Sequence, residues 1–427
     1  MKPFPVHASI LLCLLIASCR PDPPETVDGS WQGTITSEGD VTTVVNESGS
    51  VWGGTAKLLE EASIGVAAGA DEYMFGHVSA LYLTEDRVYV VDGQAPAVRA
   101  YDYEGEFTLT YGGEGQGPGE YTRPELVAAD ASGRVFVLDN TLGRINVYAP
   151  SGEPIDTWPL ETRSRYARRM FALADGAMWK PVDARSDQVF VPRLGAQAVG
   201  PTGSQDVVWA PDIDCERSTF ESPIGDQQMT PYSPSYYSSP AAGGKLVYGA
   251  SDRYRFEVSA LDGSRLTVER YWDPVPVSPE HKEWQRRLVT ASTRAAYASR
   301  SAEAAAFDLD TSQIPDHKPA YRWFVPTQSG EIWLHRLGPS EPVTGCAGDP
   351  LEVGWAAAME NPCWRDRVII DAFDGDGRYL GDVEVPEYLM RYVDLLAIRG
   401  RIVAGVMQDD AGTFVVKRYR LLLPGEE

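Results

Sequence analysis

Histidine and cysteine are scarce, five of each in 427 residues, and the 38 Lys and Arg are outnumbered by 61 Asp and Glu. A zinc centre wants three or four His, Cys or carboxylate ligands, so a tri-histidine site is disfavoured. His7 falls in the N-terminal leader, and only His77 immediately precedes an expected inner strand. No two cysteines have the C-x-x-C spacing of a metal or redox motif. A formal charge of −23 and a pI near 4.6 argue against nucleic acid, which is held by clustered Lys and Arg. The chain also lacks a Gly-x-Ser-x-Gly elbow and a clear nucleophile and base pair. Its main apolar run near the start, Ile10 to Ala17, is too short to span a bilayer.

That run has a different meaning. Lys2 supplies a positive n-region, and the run leads into Leu15-Ile16-Ala17-Ser18-Cys19. The ending resembles a bacterial lipobox, in which small residues precede a cysteine that becomes the acylated first residue of the mature chain. The resemblance implies a signal peptide over 1–18, lipidation of Cys19 and a solvated, proline-rich tether over 19–29. An ordinary signal peptide with a chance cysteine is the alternative. Arg20, rather than an aspartate, follows Cys19; by the known sorting rules this implies the outer membrane in a host with two membranes. The expected address is therefore the bacterial cell envelope, with the membrane a partner through lipidated Cys19. In that oxidising compartment Cys346 and Cys363 are the expected disulfide, worth about 3 kcal/mol, with Cys215 left unpaired.

The body of the chain repeats. DRVYVVDGQAPAVRAYDYEGE (86–106) and GRVFVLDNTLGRINVYAPSGE (133–153) align without a gap, matching Arg87 to Arg134, Asp92 to Asp139, Tyr101 to Tyr148 and Gly105 to Gly152. Each copy holds alternating apolar strands separated by polar turns, the signature of propeller blades. Weaker copies follow, giving six units that start near Val78, Val127, Met170, Gly244, Tyr321 and Asp394. AKLLEEASIG, residues 56–65, belongs to no unit and would close the ring by joining the last blade. The expected fold is an all-β, six-bladed β-propeller over 78–427, closed by a strand from the N-terminal segment 30–77. Between blades four and five, residues 279–307 change period and predict a helical insertion, with Trp284, Leu288, Ala291 and Ala295 on one stripe.

The GxGxGPGEY-x-x-P segment, followed by D-x-x-G-R-V-F-V-x-D and R-I-x-V-Y, resembles NHL-type six-bladed propellers. Together with WxGT, GDVTTV, GSVW, SIG and DEYMFG between Trp31 and Gly76, it is similar to a group of bacterial propeller lipoproteins. Some relatives of the fold are calcium-dependent lactonases or a zinc-dependent lyase. The resemblance therefore keeps a metal-assisted hydrolase, lactonase or lyase open, with calcium on scattered carboxylates and carbonyls as the metal.

The glycine-rich stretch YGGEGQGPGEYTRP, 111–124, poses the question of a phosphate loop. Its register fails at Pro118, no lysine follows in the loop, and a strand rather than a helix begins after Pro124. It reads instead as a link between blades, carrying Tyr121 and Arg123 towards the channel opening. The link before blade four supplies Tyr232, Tyr236 and Tyr237, and the link before blade five supplies His317, Tyr321 and Arg322. Aromatic rings and guanidinium groups at one opening suit a protein, peptide or carbohydrate ligand; packing between blades is the competing reading. The basic residues of the insertion, Lys282, Arg286, Arg287, Arg294 and Arg300, suggest a lid or a docking surface for an acidic partner, or simply a solvated face.

Overall fold

The computed structural model describes residues 31–162, 169–184, 193–386, 389, 395–409 and 411–426. The signal peptide, Cys19, the tether and the unit start at Asp394 lie outside them. The fold is a six-bladed β-propeller. Blade one is built from Val78–Leu83, Val88–Asp92, Ala97–Tyr101 and Phe107–Tyr111 in simple antiparallel order, and blade two from Leu126–Ala129, Val135–Asp139, Arg144–Tyr148 and Pro154–Pro159. The second strands of blades one and two, Val88–Asp92 and Val135–Asp139, are buried along their whole length, because a neighbouring blade covers each face of the sheet. They therefore read as continuous apolar runs instead of alternating ones.

The last blade is closed as expected. Strand Ala56–Ile64 (β3) pairs antiparallel with Phe414–Leu422, matching Lys57 to Leu422 and Ile64 to Val416. The segment before it does more than sequence suggested. Strands Gln32–Glu38 (β1) and Val41–Ser48 (β2) form a hairpin, and β2 runs parallel to Arg265–Arg270, the outer strand of blade four. Val51 and Trp52 then donate backbone hydrogen bonds to Tyr379 and Leu380 of blade five. The N-terminal segment is thus a strap across the outer edges of blades four, five and six.

Two boundaries move. Blade four begins with Tyr236–Ala241, one strand before Gly244, so Tyr236 and Tyr237 sit on its innermost strand instead of in the preceding link. The helix of the insertion, Pro279–Tyr297 (α1), is capped by the Ser278 hydroxyl and gives way to a 3-10 turn at Ala302–Ala306. Its buried residues are His281, Leu288, Thr290 and Thr293, while Ala295 is exposed, so the expected apolar stripe is out of phase. The insertion packs instead on outside partners: Phe220, Leu309 and Ile314 form a small core with Tyr232, Val289 and Phe307.

The repeat residues have a shared duty. Asp92 accepts hydrogen bonds from the backbone of Gly76 and His77, and Asp139 from Thr122 and Arg123, so each clamps the segment entering its own blade. Tyr101 and Tyr148 clamp the same segments from below, donating to the carbonyls of Glu72 and Gly119.

Candidate functional site

Links from one blade to the next, and turns between second and third strands, emerge on one face, called the link face here. The glycine-rich link lies there, and several of its polar groups are already used. Arg144 donates to the carbonyls of Gln116, Gly117 and Glu120, while the Glu120 carboxylate accepts from the Gly117 amide at 2.7 Å. The glycines are there for space: a Cβ on Gly119, which has φ +74°, would lie 2.6 Å from Pro154.

The sequence-selected side chains divide. Tyr121 is fully buried against Tyr148, so it does not face the opening, whereas Arg123 is exposed. Tyr321 is also fully buried and donates to the Arg255 carbonyl at 2.9 Å. Tyr237 packs on Tyr321 and Trp323, and Tyr236 donates to the Pro211 carbonyl at 3.2 Å. His317 and Arg322 are exposed. Packing between blades buries Tyr121 and Tyr321 fully and the other tyrosines in part, while Arg123, His317 and Arg322 remain at the surface.

Tyr232 belongs to a cluster that sequence reasoning did not assemble. It is the one non-glycine among the described residues with positive φ, at 62°. Its hydroxyl donates to Asp366 at 3.0 Å and faces His281 Nε2 at 3.2 Å. Lys318 Nζ, fully buried, donates to Asp366 at 2.7 Å and to the Gly338 carbonyl, and Ser340 completes the carboxylate at 2.7 Å. Burial draws the Lys318 pKa down against the pull of Asp366. Burial likewise lowers His281 to about 4, so the imidazole is neutral at pH 7, stacked 5.0 Å from Trp364. Burial and the adjacent carboxylate push the Tyr232 phenol up. The result is a neutral imidazole, a phenol and one ion pair joining the link before blade four, α1, the link before blade five and the blade-five hairpin.

This cluster roots a helical cap. The extended hairpin of blade five, Ile332–Pro342 and Trp364–Phe373, carries at its tip the Cys346–Cys363 disulfide and the short helices Pro350–Val353 (α2) and Trp355–Glu360 (α3), which pack on α1. The basic residues of the insertion, Arg300 excepted, are ties within the cap. Lys282 pairs with Asp316, Arg286 with Glu283 and Asp308, and Arg287 with Glu283 and Asp349, while Arg294 bonds the Phe307 carbonyl and Arg300 covers the Tyr297 ring. A docking face for an acidic partner is therefore not what they form. The cap instead exposes apolar side chains: Leu351, Val353, Trp355 and Met359 are 38%, 41%, 43% and 58% exposed, beside an alanine-lined groove of about 590 Å³. The signal was present in LEVGWAAAME, but no partner for its apolar residues can be assigned from periodicity alone.

The central channel is crossed. Arg169, at the head of blade three, is buried and donates to the Leu396 carbonyl, at the head of blade six, at 2.7 Å. Among the described residues no group of three or more His, Cys, Asp or Glu is gathered where it could hold a metal ion.

Comparison with known proteins follows the architecture. Residues 68–168 match the DUF5128 family, described as a 6-bladed beta-propeller. A search of curated proteins finds no match. Among solved structures, a DUF4221-family protein from Bacteroides vulgatus is similar at 10% identity and a TM-score of 0.46, covering 86% of this chain and 98% of that one. Virginiamycin B lyase from Staphylococcus aureus is similar at 10% identity and a TM-score of 0.37 (91% and 98% covered). The calcium-binding protein regucalcin from Agrobacterium tumefaciens is similar at 10% identity and a TM-score of 0.37 (87% and 98% covered). At this level neither lyase nor calcium chemistry transfers to this chain.

Proposed function

We propose that this chain is a lipid-anchored, extracytoplasmic propeller of the bacterial envelope that binds a protein, peptide or carbohydrate through its link face. The asymmetry of the two faces carries this reading. On the opposite face the connections are tight turns, such as Leu83 to Val88, Ala129 to Val135 and Ala241 to Lys245. On the link face stand the long links before blades four and five, the helical cap and the disulfide loop. Long ordered connections on a rigid scaffold are where binding surfaces are built. The exposed polar side chains of that face, Arg123, His317 and Arg322, are the candidate contacts. Arg169 across the channel supports binding at the surface over chemistry within the ring.

The test is a thermal-shift series with peptides, oligosaccharides and metal ions, since whatever binds only the folded state raises its melting temperature. A concentration-dependent rise with a peptide or sugar, lost in Arg322→Ala or Arg123→Ala, supports the reading. A rise with calcium alone would turn it towards the metal-assisted hydrolase or lyase. Conversion of Cys19 to Ser should release the chain from membranes.

A further inference from the structure

We infer that the cap is a membrane-contact surface: Leu351, Val353, Trp355 and Met359 rest in the interfacial zone of the bilayer to which the chain is anchored, standing the propeller on the rim of blades four and five. The inference rests on the lipid-anchor reading and names a partner for the cap that the ligand-binding reading leaves open.

Three observations carry it. The first is clustering. Among the described residues four large, exposed apolar side chains fall within 351–359, and the adjoining groove is walled by Ala291, Ala295, Ala298 and Ala302. A contiguous apolar surface of this kind marks an interaction site. Its composition, one Trp with Leu, Val and Met on short helices, suits the boundary between headgroups and acyl chains.

The second is where the described body begins. Trp31 is hydrogen-bonded to Asn46 on β2, and β2 is fused to the outer strand of blade four. Blade four ends at Arg270, next to Asn46, and from there the chain passes through Tyr271, 67% exposed, into α1 of the cap. Tether and cap therefore depart from one sector of the ring. The segment 20–30 reaches at most about 40 Å when fully extended. An acyl group on Cys19 thus keeps the rim of blades four and five, and the cap with it, close to the bilayer, while blade two lies diametrically away.

The third is charge. A body of net charge −23 is repelled by an anionic surface, and Glu352 and Glu360 flank the apolar side chains. The contact is therefore apolar and shallow, and does not depend on acidic lipid. Arg300, exposed over the Tyr297 ring, is placed to reach headgroup phosphates. Among the described residues no helix is long and apolar enough to cross a membrane. The remainder of the link face stays open to a ligand at the membrane surface.

The experiment uses the full, acylated chain in phosphatidylcholine vesicles. In a Cys215→Ser background an environment-sensitive fluorophore is placed at Met359→Cys or, as the distant control, at Ser132→Cys in the exposed turn of blade two. Nitroxide-labelled lipid should quench the label at 359 at least threefold more than the label at 132. Trp355→Ser should at least halve that quenching while leaving flotation with the vesicles intact. Added phosphatidylglycerol should weaken the quenching, not strengthen it. Flotation with equal quenching at both positions would overturn the docking and leave the anchor standing. A chain that does not float overturns both. Burial of the label only after envelope proteins are added would identify a protein as the occupant and overturn the lipid assignment.

Discussion

Lys180 Nζ donates to the carbonyl oxygen of Thr162 at 3.0 Å, inside blade three, with its side chain fully buried. Its other partners are the Thr162 hydroxyl at 3.3 Å and the Pro181 carbonyl at 3.4 Å. Among the described residues none of these is anionic, and burial, opposed by the charge of Asp183, lowers its pKa to about 8. Because the folded pKa lies below that of the unfolded chain, the unfolded state takes up a proton as pH falls through the unfolded value, and folding is penalised in full below about 8. Lys180→Met should therefore stabilise the protein by about 1–3 kcal/mol at pH 7. The gain should fade as pH rises from 8 towards 10.5. Urea titrations at pH 7 and pH 10 check both parts.

His281 and His335 set an acid limit on the cap. Burial holds them at about 4 and about 3 in the fold, below the usual 6.5. The unfolded chain binds protons that the fold excludes, so their contribution is intact above pH 6.5 and is lost as pH falls towards 4 and 3. The expected outcome is a falling melting temperature below pH 6.5, with a shallower fall in His281→Gln. An identical slope in the variant would remove His281 as a cause.

The glycine-rich link is a packing device, and its glycines are unequal. Gly119→Ala forces a left-handed backbone onto alanine and drives its Cβ against Pro154, with an expected cost of about 2–4 kcal/mol. Gly113→Ala, where a Cβ would meet nothing within 4 Å, should be nearly neutral. Denaturant midpoints of the two variants compare them directly.

Removal of the guanidinium that spans the ring should cost more than an exposed charge. Arg169→Leu is expected to lose about 1.5–3 kcal/mol, the range for a hydrogen bond to a charged group. Arg123→Ala, at the exposed position on the link, should stay within about 0.5 kcal/mol. Equal midpoints for the two variants would show that Arg169 does not brace the channel.

The blades were legible because their strands repeat. Asp92 and Asp139, or Tyr101 and Tyr148, perform the same backbone clamping, so the same residues recur at the same spacing. The closing strand was legible by subtraction, as an apolar segment with no unit of its own. The β1–β2 hairpin was not, because QGTITSE is largely exposed and carries no buried face to give a period. Nor was the site. Tyr232, His281, Lys318 and Asp366 come from four separate segments, and nothing local to any one marks the others. The basic character of α1 was visible, but whether an arginine meets solvent or an aspartate 62 residues away, as Arg287 meets Asp349, is decided by tertiary structure.

Closure by β3 also ties folding to synthesis. Glu60 on β3 pairs with Lys417 on the neighbouring strand, 357 residues later in the chain. The strand that seals the ring is made 357 residues before its partner. Until Phe414–Leu422 is made, β3 lacks its antiparallel partner and the last blade is incomplete. A polypeptide made N-terminus first therefore gains its closed ring only once that late strand has been made. Chains stalled near the end should be far more open to proteolysis than their small missing fraction would suggest.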